Sequence, residues 1–131
     1  MTEITTGDGW AAGGIGAMGE GPGFRKVRKE LGVSAFGVNA IVMPPGYATG
    51  RHFHERQEEL YFVHQGRIAF SFGDDGSVSL GPGDFVRVDA APVRSLRNES
   101  PDAEAVYVCV GGADGYVGRD GRLPEGETSP R

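Results

Sequence analysis

Residues 46–66 of this 131-residue chain read GYATGRHFHERQEELYFVHQG, and this stretch decides how the remainder of the sequence is interpreted. His52 and His54 are separated by one residue, and in a strand residues i and i+2 point to the same face. Both imidazole rings can therefore converge on one point. In the strand that follows, alternation places Glu59, Tyr61 and Val63 on a common face, so Glu59 can lie beside the histidines.

Two neutral imidazoles and one carboxylate can hold a divalent transition metal on one side and leave coordination positions open. His52, His54 and Glu59 are therefore candidate ligands for a single ion of Fe, Mn, Ni, Co or Zn. The alternative at this point is a non-metal cluster, in which hydrogen bonds at a sheet edge satisfy the same three side chains.

The composition predicts an all-β, antiparallel fold. The chain has 23 glycines and 8 prolines, and Val and Phe dominate its larger apolar residues. Short apolar runs between residues 35 and 110 are separated by turn sequences such as Pro-Pro-Gly at 44–46 and Pro-Gly-Asp at 82–84. Because no long helical segment lies between these runs, neighbouring strands are expected to pair antiparallel.

The 46–66 stretch resembles the first motif of the cupins, G-x5-H-x-H-x4-E-x6-G, and matches it at every fixed position. The resemblance extends over about residues 35–110. It implies a small antiparallel jelly-roll β-barrel with the metal held inside by His52, His54 and Glu59. It also implies a homodimer.

The second cupin motif, similar to G-x5-P-x-G-x2-H-x3-N, is degenerate between Gly83 and Asn98. Arg94 stands where a histidine would supply the fourth ligand, and a guanidinium stays protonated and cannot ligate. Two arrangements remain open. Arg94 can bind the carboxylate of a substrate beside a metal held by three ligands, or it can replace the metal and pair with Glu59. A register shift that points Arg94 to solvent is a third possibility.

Other residues receive shorter assignments. Tyr61 is predicted to line the pocket and contact substrate, with a core aromatic as the alternative. His64 is expected to point away from the cluster, and Arg87 to face either the pocket or solvent. Cys109 is interpreted as a small buried apolar residue and not as a reactive thiol. The sequence assigns no catalytic residue.

The chain divides into a flexible glycine-rich N-terminal arm at 1–23, a cupin barrel domain at 24–112 and a C-terminal tail at 113–131. Residues 24–31, FRKVRKEL, form the one predicted helix, with a strand as the alternative. Their basic side chains (Arg25, Lys26, Arg28 and Lys29) are expected to form a solvated face.

The net charge of −5 argues against binding to nucleic acid or to an anionic membrane. The start of the chain lacks the pattern of a secretory signal, and the apolar runs are too short for a membrane span, so a soluble cytoplasmic protein is expected. A single cysteine cannot form an internal disulfide.

Two functions follow. In the first, a metal-binding cupin binds or acts on a small anionic organic molecule, with dioxygenase or isomerase chemistry as candidates. In the second, a metal-free ligand-binding or regulatory cupin has Arg94 in the metal position.

Overall fold

The computed structural model describes residues 1–127, and nearly all of its regular structure is β-strand. The strands in chain order are β1 (Thr5–Gly7), β2 (Trp10–Ala12), β3 (Gly23–Arg25), β4 (Gly37–Met43), β5 (Phe53–His54), β6 (Glu58–Gln65), β7 (Ile68–Ser71), β8 (Ser77–Leu80), β9 (Phe85–Val88), β10 (Ser95–Asn98), β11 (Ala105–Gly112) and β12 (Gly121–Arg122). In these residues the helices are α1 (Val27–Leu31) and one 3₁₀ turn (Ile15–Ala17). All paired strands are antiparallel, which confirms the all-β, antiparallel part of the predicted fold class.

Two larger sheets carry the structure. One has five strands in the order β3-β4-β11-β6-β9, and the other has three in the order β10-β7-β8. Along β6, Glu59, Tyr61 and Val63 are buried, whereas Leu60 and His64 are exposed. The predicted alternation of this strand is therefore confirmed.

The hydrophobic core lies between these two sheets. The five-stranded sheet contributes Met43, Val63 and Tyr107, and the three-stranded sheet contributes Ile68, Phe70 and Leu96. The Tyr61 and Phe70 rings meet edge to face across the core, with 5.2 Å between centroids. Burial of both inner faces holds the sheets together.

The predicted closed barrel requires a correction. In the described residues the strands form separate hydrogen-bonded sheets, and the ladders do not continue round into a barrel. The segment before β5 is joined to the region of β10 only by the isolated bridges Ala48–Arg97 and His52–Arg94, and not by a continuous ladder.

The glycine-rich segment 1–23 contains regular structure. β1 and β2 form a hairpin, with Trp10 paired to Gly7 and 56% exposed. Further along, Arg25 is buried on the outer side of β3 and donates to the Gly21 carbonyl at 2.5 Å. Flexibility of this arm stays a prediction.

The segments at the two ends of the predicted barrel domain also form regular structure. Residues 23–31 combine both sequence alternatives, with β3 followed by α1, which ends at Gly32 in the left-handed conformation (φ 72°). In the predicted tail, β12 pairs with β5 and places Gly121 opposite His54. Within residues 1–127, no helix has the length and apolar character needed to cross a bilayer.

Candidate metal centre

His52 and His54 are buried on one face of the short segment around β5. Each is 7% exposed, and their ring centroids are 5.2 Å apart. His52 is bridged to Arg94 by two backbone hydrogen bonds, and β12 pairs with β5 at His54. These neighbours hold the His-x-His segment extended, which is why both rings face the same way.

Glu59 projects from β6 toward the two histidines, and several donors converge on its carboxylate. The Tyr61 hydroxyl donates to Oε1 at 2.6 Å, Arg94 Nη2 donates to Oε1 at 3.2 Å, and the Cys109 thiol donates to Oε2 at 3.1 Å. Burial alone would raise the pKa of Glu59. His54, Tyr61 and Cys109 outweigh that effect and lower the pKa to about 2, so the group is a carboxylate at neutral pH.

Tyr61 and Cys109, two of the donors on Glu59, remain protonated at neutral pH. Burial, reinforced by the nearby Cys109 and Glu59, raises the pKa of Tyr61 well above 10. Burial, reinforced by Glu59, likewise raises the pKa of Cys109 well above 9. Both side chains therefore serve as hydrogen-bond donors that orient the Glu59 carboxylate.

His52, His54 and Glu59 form a compact set of metal-ligand atoms. One nitrogen or oxygen from each lies within 4.8 Å of the others. Atoms bound to a common ion at about 2.1 Å lie roughly 3–4 Å apart, so the cluster has a suitable size. His54 Nε2 is buried 3.1 Å from Glu59 Oε1, yet it makes no hydrogen bond of acceptable geometry in the described residues. A cation between these two atoms would satisfy both, and the donor set fits a divalent transition metal.

The other ring nitrogen of His54, Nδ1, lies close to polar groups of Gln57 and Asp120. Nδ1 lies 3.0 Å from Gln57 Nε2 and 3.8 Å from Asp120 Oδ2. The same Asp120 oxygen accepts the backbone N–H groups of Arg56 and Gln57 at 2.9 and 2.8 Å. Burial alone would raise the pKa of Asp120, but these hydrogen bonds outweigh it and lower the pKa. Asp120 thus supplies an ionised partner behind His54, as is common for metal-binding histidines.

Arg94 is fully buried (0% exposed) and points inward. Its Nη1 donates to the carbonyls of Ala90 at 3.0 Å and Pro92 at 2.7 Å, while Nη2 reaches Glu59. The outward orientation is therefore wrong. Arg94 lies behind Glu59 and is absent from the lining of the adjoining cavity.

A cavity of about 250 Å³ opens beside the cluster. Polar groups on its wall include His52, His54, Gln57, Glu59, Tyr61, Cys109, Arg119 and Asp120. Tyr61 is one of these wall residues, and its contact with a substrate stays a prediction. A second, mainly apolar cavity of about 280 Å³ adjoins the first and shares His52 and Phe24 with it.

The remaining candidates are located as follows. His64 is exposed and away from the cluster, as predicted. Arg87 faces solvent, where it pairs with Glu58 and Asp89. Cys109 is half-buried and packs against the core, as interpreted, and it also lies on the cavity wall, which was not predicted.

Asp120 and Gln57 were also missed. Gln57 is within the first motif, but at a position that the motif leaves variable. Asp120 lies in the predicted tail, where no periodicity or spacing links it to His54. For Cys109 the sequence did contain a usable signal, because the alternation of β11 sends Tyr107 and Cys109 to the same face.

Comparison with known proteins identifies the family of this chain. A family model for the cupin domain matches residues 39–111, more than half of the chain, and the chain therefore belongs to the cupin family. Comparison with curated proteins gave no significant match.

Solved structures are similar over most of the chain. An uncharacterised Klebsiella pneumoniae protein with a double-stranded β-helix domain is 22% identical over 70% of this chain and 76% of its own (TM-score 0.60). A cupin-superfamily sugar phosphate isomerase from Silicibacter pomeroyi is 26% identical over 79% and 59% (TM-score 0.61). The DMSP lyase DddQ from Ruegeria pomeroyi is 26% identical over 71% and 46% (TM-score 0.60). The match thus spans about three-fifths of the isomerase and less than half of the lyase.

Proposed function

We propose that this cupin binds one divalent transition metal (Fe, Mn, Ni, Co or Zn) through His52, His54 and Glu59, and that it binds a small anionic organic molecule in the adjoining cavity. The observation that carries the proposal is the buried cluster of three ligand atoms within 4.8 Å of one another. Within it, His54 Nε2 lies 3.1 Å from the ionised Glu59 carboxylate without a hydrogen bond of acceptable geometry in the described residues.

When bound, the metal would supply open coordination positions and polarise a ligand oxygen. The residues around it hold the ligand set in place. Tyr61 and Cys109 orient the two oxygens of Glu59, and Asp120 and Gln57 fix the ring of His54.

An anionic ligand is proposed because of the local charge. Glu59 is the carboxylate in contact with Arg94, so a divalent ion would leave this group of charges net positive. Arg94 as a direct anchor for a substrate carboxylate stays a prediction, since its guanidinium donates to Glu59 and to two backbone carbonyls.

The similar structures support small-molecule chemistry as one form of the proposal. Proteins described as a sugar phosphate isomerase and a DMSP lyase share this scaffold at 26% identity. A metal that polarises a substrate oxygen would favour isomerisation. Dioxygen chemistry is a candidate if the metal is iron.

A second candidate function rests on the Arg94–Glu59 contact of 3.2 Å. In a metal-free cupin, Arg94 serves as the internal cation, and the protein binds a ligand or regulates a partner without metal chemistry. Breaking such a buried pair is costly, so the pair can persist as a structural element.

Metal analysis separates the two candidates. Protein purified without added metal, and then titrated with Mn, Fe, Co, Ni or Zn, is expected to bind about one equivalent. His54→Ala should reduce binding to less than about a tenth of an equivalent, whereas the matched control His64→Ala should bind like the unaltered chain. Chelation should lower the melting temperature of the loaded protein.

Failure of the unaltered protein to bind any of these metals, with a melting temperature that chelation leaves unchanged, would overturn the metal proposal and favour the metal-free candidate.

We also propose a homodimer on a jelly-roll scaffold. The outer face of the five-stranded sheet exposes Leu60 (41%) and Phe85 (59%), and Phe62 stacks on Phe85 with ring centroids 4.7 Å apart. β9 is also an edge strand that can pair with a second copy. Sedimentation is expected to give twice the chain mass of 13.8 kDa, and the chain mass itself would reject the dimer. A cytoplasmic location remains part of the proposal.

A further inference from the structure

A basic groove adjoins the proposed metal cavity. Its volume is about 440 Å³, and its charged lining consists of Lys26, Arg28 and Lys29 from the segment around α1. The groove and the metal cavity share five lining residues, namely Phe24, Gly37, Val38, Asn39 and Tyr116. The two spaces are therefore neighbours along one wall, and one ligand can contact both.

The three cations of this groove lack acidic partners. In residues 1–127, no carboxylate forms an ion pair with Lys26, Arg28 or Lys29, although the chain carries five more acidic than basic groups. Other arginines do find acidic partners; Arg67, for example, approaches Glu99. Glu30 follows on the same helix but does not line the groove.

Arg28 is positioned by an aromatic ring at the boundary of the two spaces. Its guanidinium carbon lies 3.9 Å from the ring centroid of Tyr116, which lines both the groove and the cavity. A guanidinium held over an aromatic face can still offer its N–H edges to phosphate oxygens. Arg25 belongs to a different surface, because it is buried and donates to Gly21.

We propose that the groove is a phosphate subsite, and that the ligand of this protein is a small organic phosphate whose other end carries metal-binding oxygens. The inference rests on the proposed function for its metal-binding end, but the subsite stands on Lys26, Arg28 and Lys29 alone. The basic cluster is then a binding surface and not only the solvated face that its sequence indicates.

The first experiment uses inorganic phosphate and the metal-free chain at constant ionic strength. Amide NMR shifts are expected to saturate at residues lining the groove, including Phe24, Asn39 and Tyr116. The variant Lys26→Gln/Arg28→Gln/Lys29→Gln should weaken phosphate binding by at least about tenfold, since charge-assisted hydrogen bonds are removed.

A matched control separates local binding from general charge. Arg67→Gln/Arg87→Gln/Arg97→Gln removes the same number of exposed cations elsewhere and should change phosphate affinity by less than about twofold. Shifts that do not saturate, that map away from the groove, or that weaken equally in both variants would overturn the subsite.

The second experiment measures how tightly Mn-loaded protein binds two compounds, glycerate and the phosphate ester of glycerate. The ester should bind at least about tenfold more tightly, and the groove variant should abolish that difference while leaving glycerate binding unchanged. Equal binding of the two compounds to the unaltered protein would overturn the subsite but leave the metal site intact. Saturable phosphate binding in the groove of a chain that binds no metal would overturn the proposed function and support the subsite.

Discussion

Arg94 lies directly opposite His52, and the two residues exchange both backbone hydrogen bonds, at 3.0 and 2.8 Å. Residues paired in this way in an antiparallel ladder send their side chains to the same face. The side chain of residue 94 is therefore directed toward the cluster of His52, His54 and Glu59. This side chain ends in a guanidinium that contacts Glu59 at 3.2 Å.

Arg94→His should restore a fourth ligand. The imidazole replaces a fixed positive charge at a position that already faces Glu59, so we expect metal affinity to rise at least about tenfold above that of Arg94→Gln. Competition with a chromophoric chelator measures the metal affinity of each variant. Arg94→Gln is the matched control because both variants lose the hydrogen bonds to Ala90 and Pro92. Equal affinities in the two variants would show that position 94 does not reach the ion.

Asp120→Asn should weaken metal binding without removing a ligand. The substitution removes the negative charge 3.8 Å from His54 Nδ1 and weakens the hydrogen bonds to Arg56 and Gln57. A loss of about tenfold to a hundredfold in metal affinity is expected, as for other groups behind a ligating histidine. Asp102→Asn, in an exposed loop, is the control and should have no effect. Unchanged affinity in Asp120→Asn would contradict this role.

The Cys109 thiol should react slowly despite its position on the cavity wall. Burial and the nearby Glu59 raise its pKa, so little thiolate is present at pH 8. Alkylation by iodoacetamide is expected to be at least about tenfold slower in the folded chain than in urea. Mass spectrometry after timed quenching measures the rates. Equal rates in the two states would show an accessible thiolate.

Glu59 should stabilise the metal-free chain less and less as the pH falls. Its pKa is lowered from 4.5 to about 2 in the folded state. The unfolded chain therefore takes up its proton first as the pH falls, and the stabilisation is complete above pH 4.5 and lost as pH approaches about 2. Urea unfolding of the unaltered chain and of Glu59→Gln should show a stability difference that shrinks over this window. A difference that is constant with pH would contradict the lowered pKa.

Much of the site was predictable because its parts are local in sequence. The His-x-His spacing and the alternation of β6 placed both rings and Glu59 on inner faces, since period-two geometry holds within any regular strand. The intact spacing of the second motif likewise located Arg94. The closed barrel was not found, because hydrogen bonding between sheets depends on where distant strands end.

Local sequence patterns were sufficient to predict the antiparallel strands, the family and the three proposed ligands, because alternation and turn chemistry act over a few residues. The surroundings of these side chains depend instead on long-range packing. The return of the chain after β11 brings Asp120 behind His54, and β11 itself places Cys109 against Glu59. The same packing sets Arg28 on Tyr116 at the mouth of the cavity. These contacts join residues that are 50 or more positions apart, and no local pattern encodes such distances.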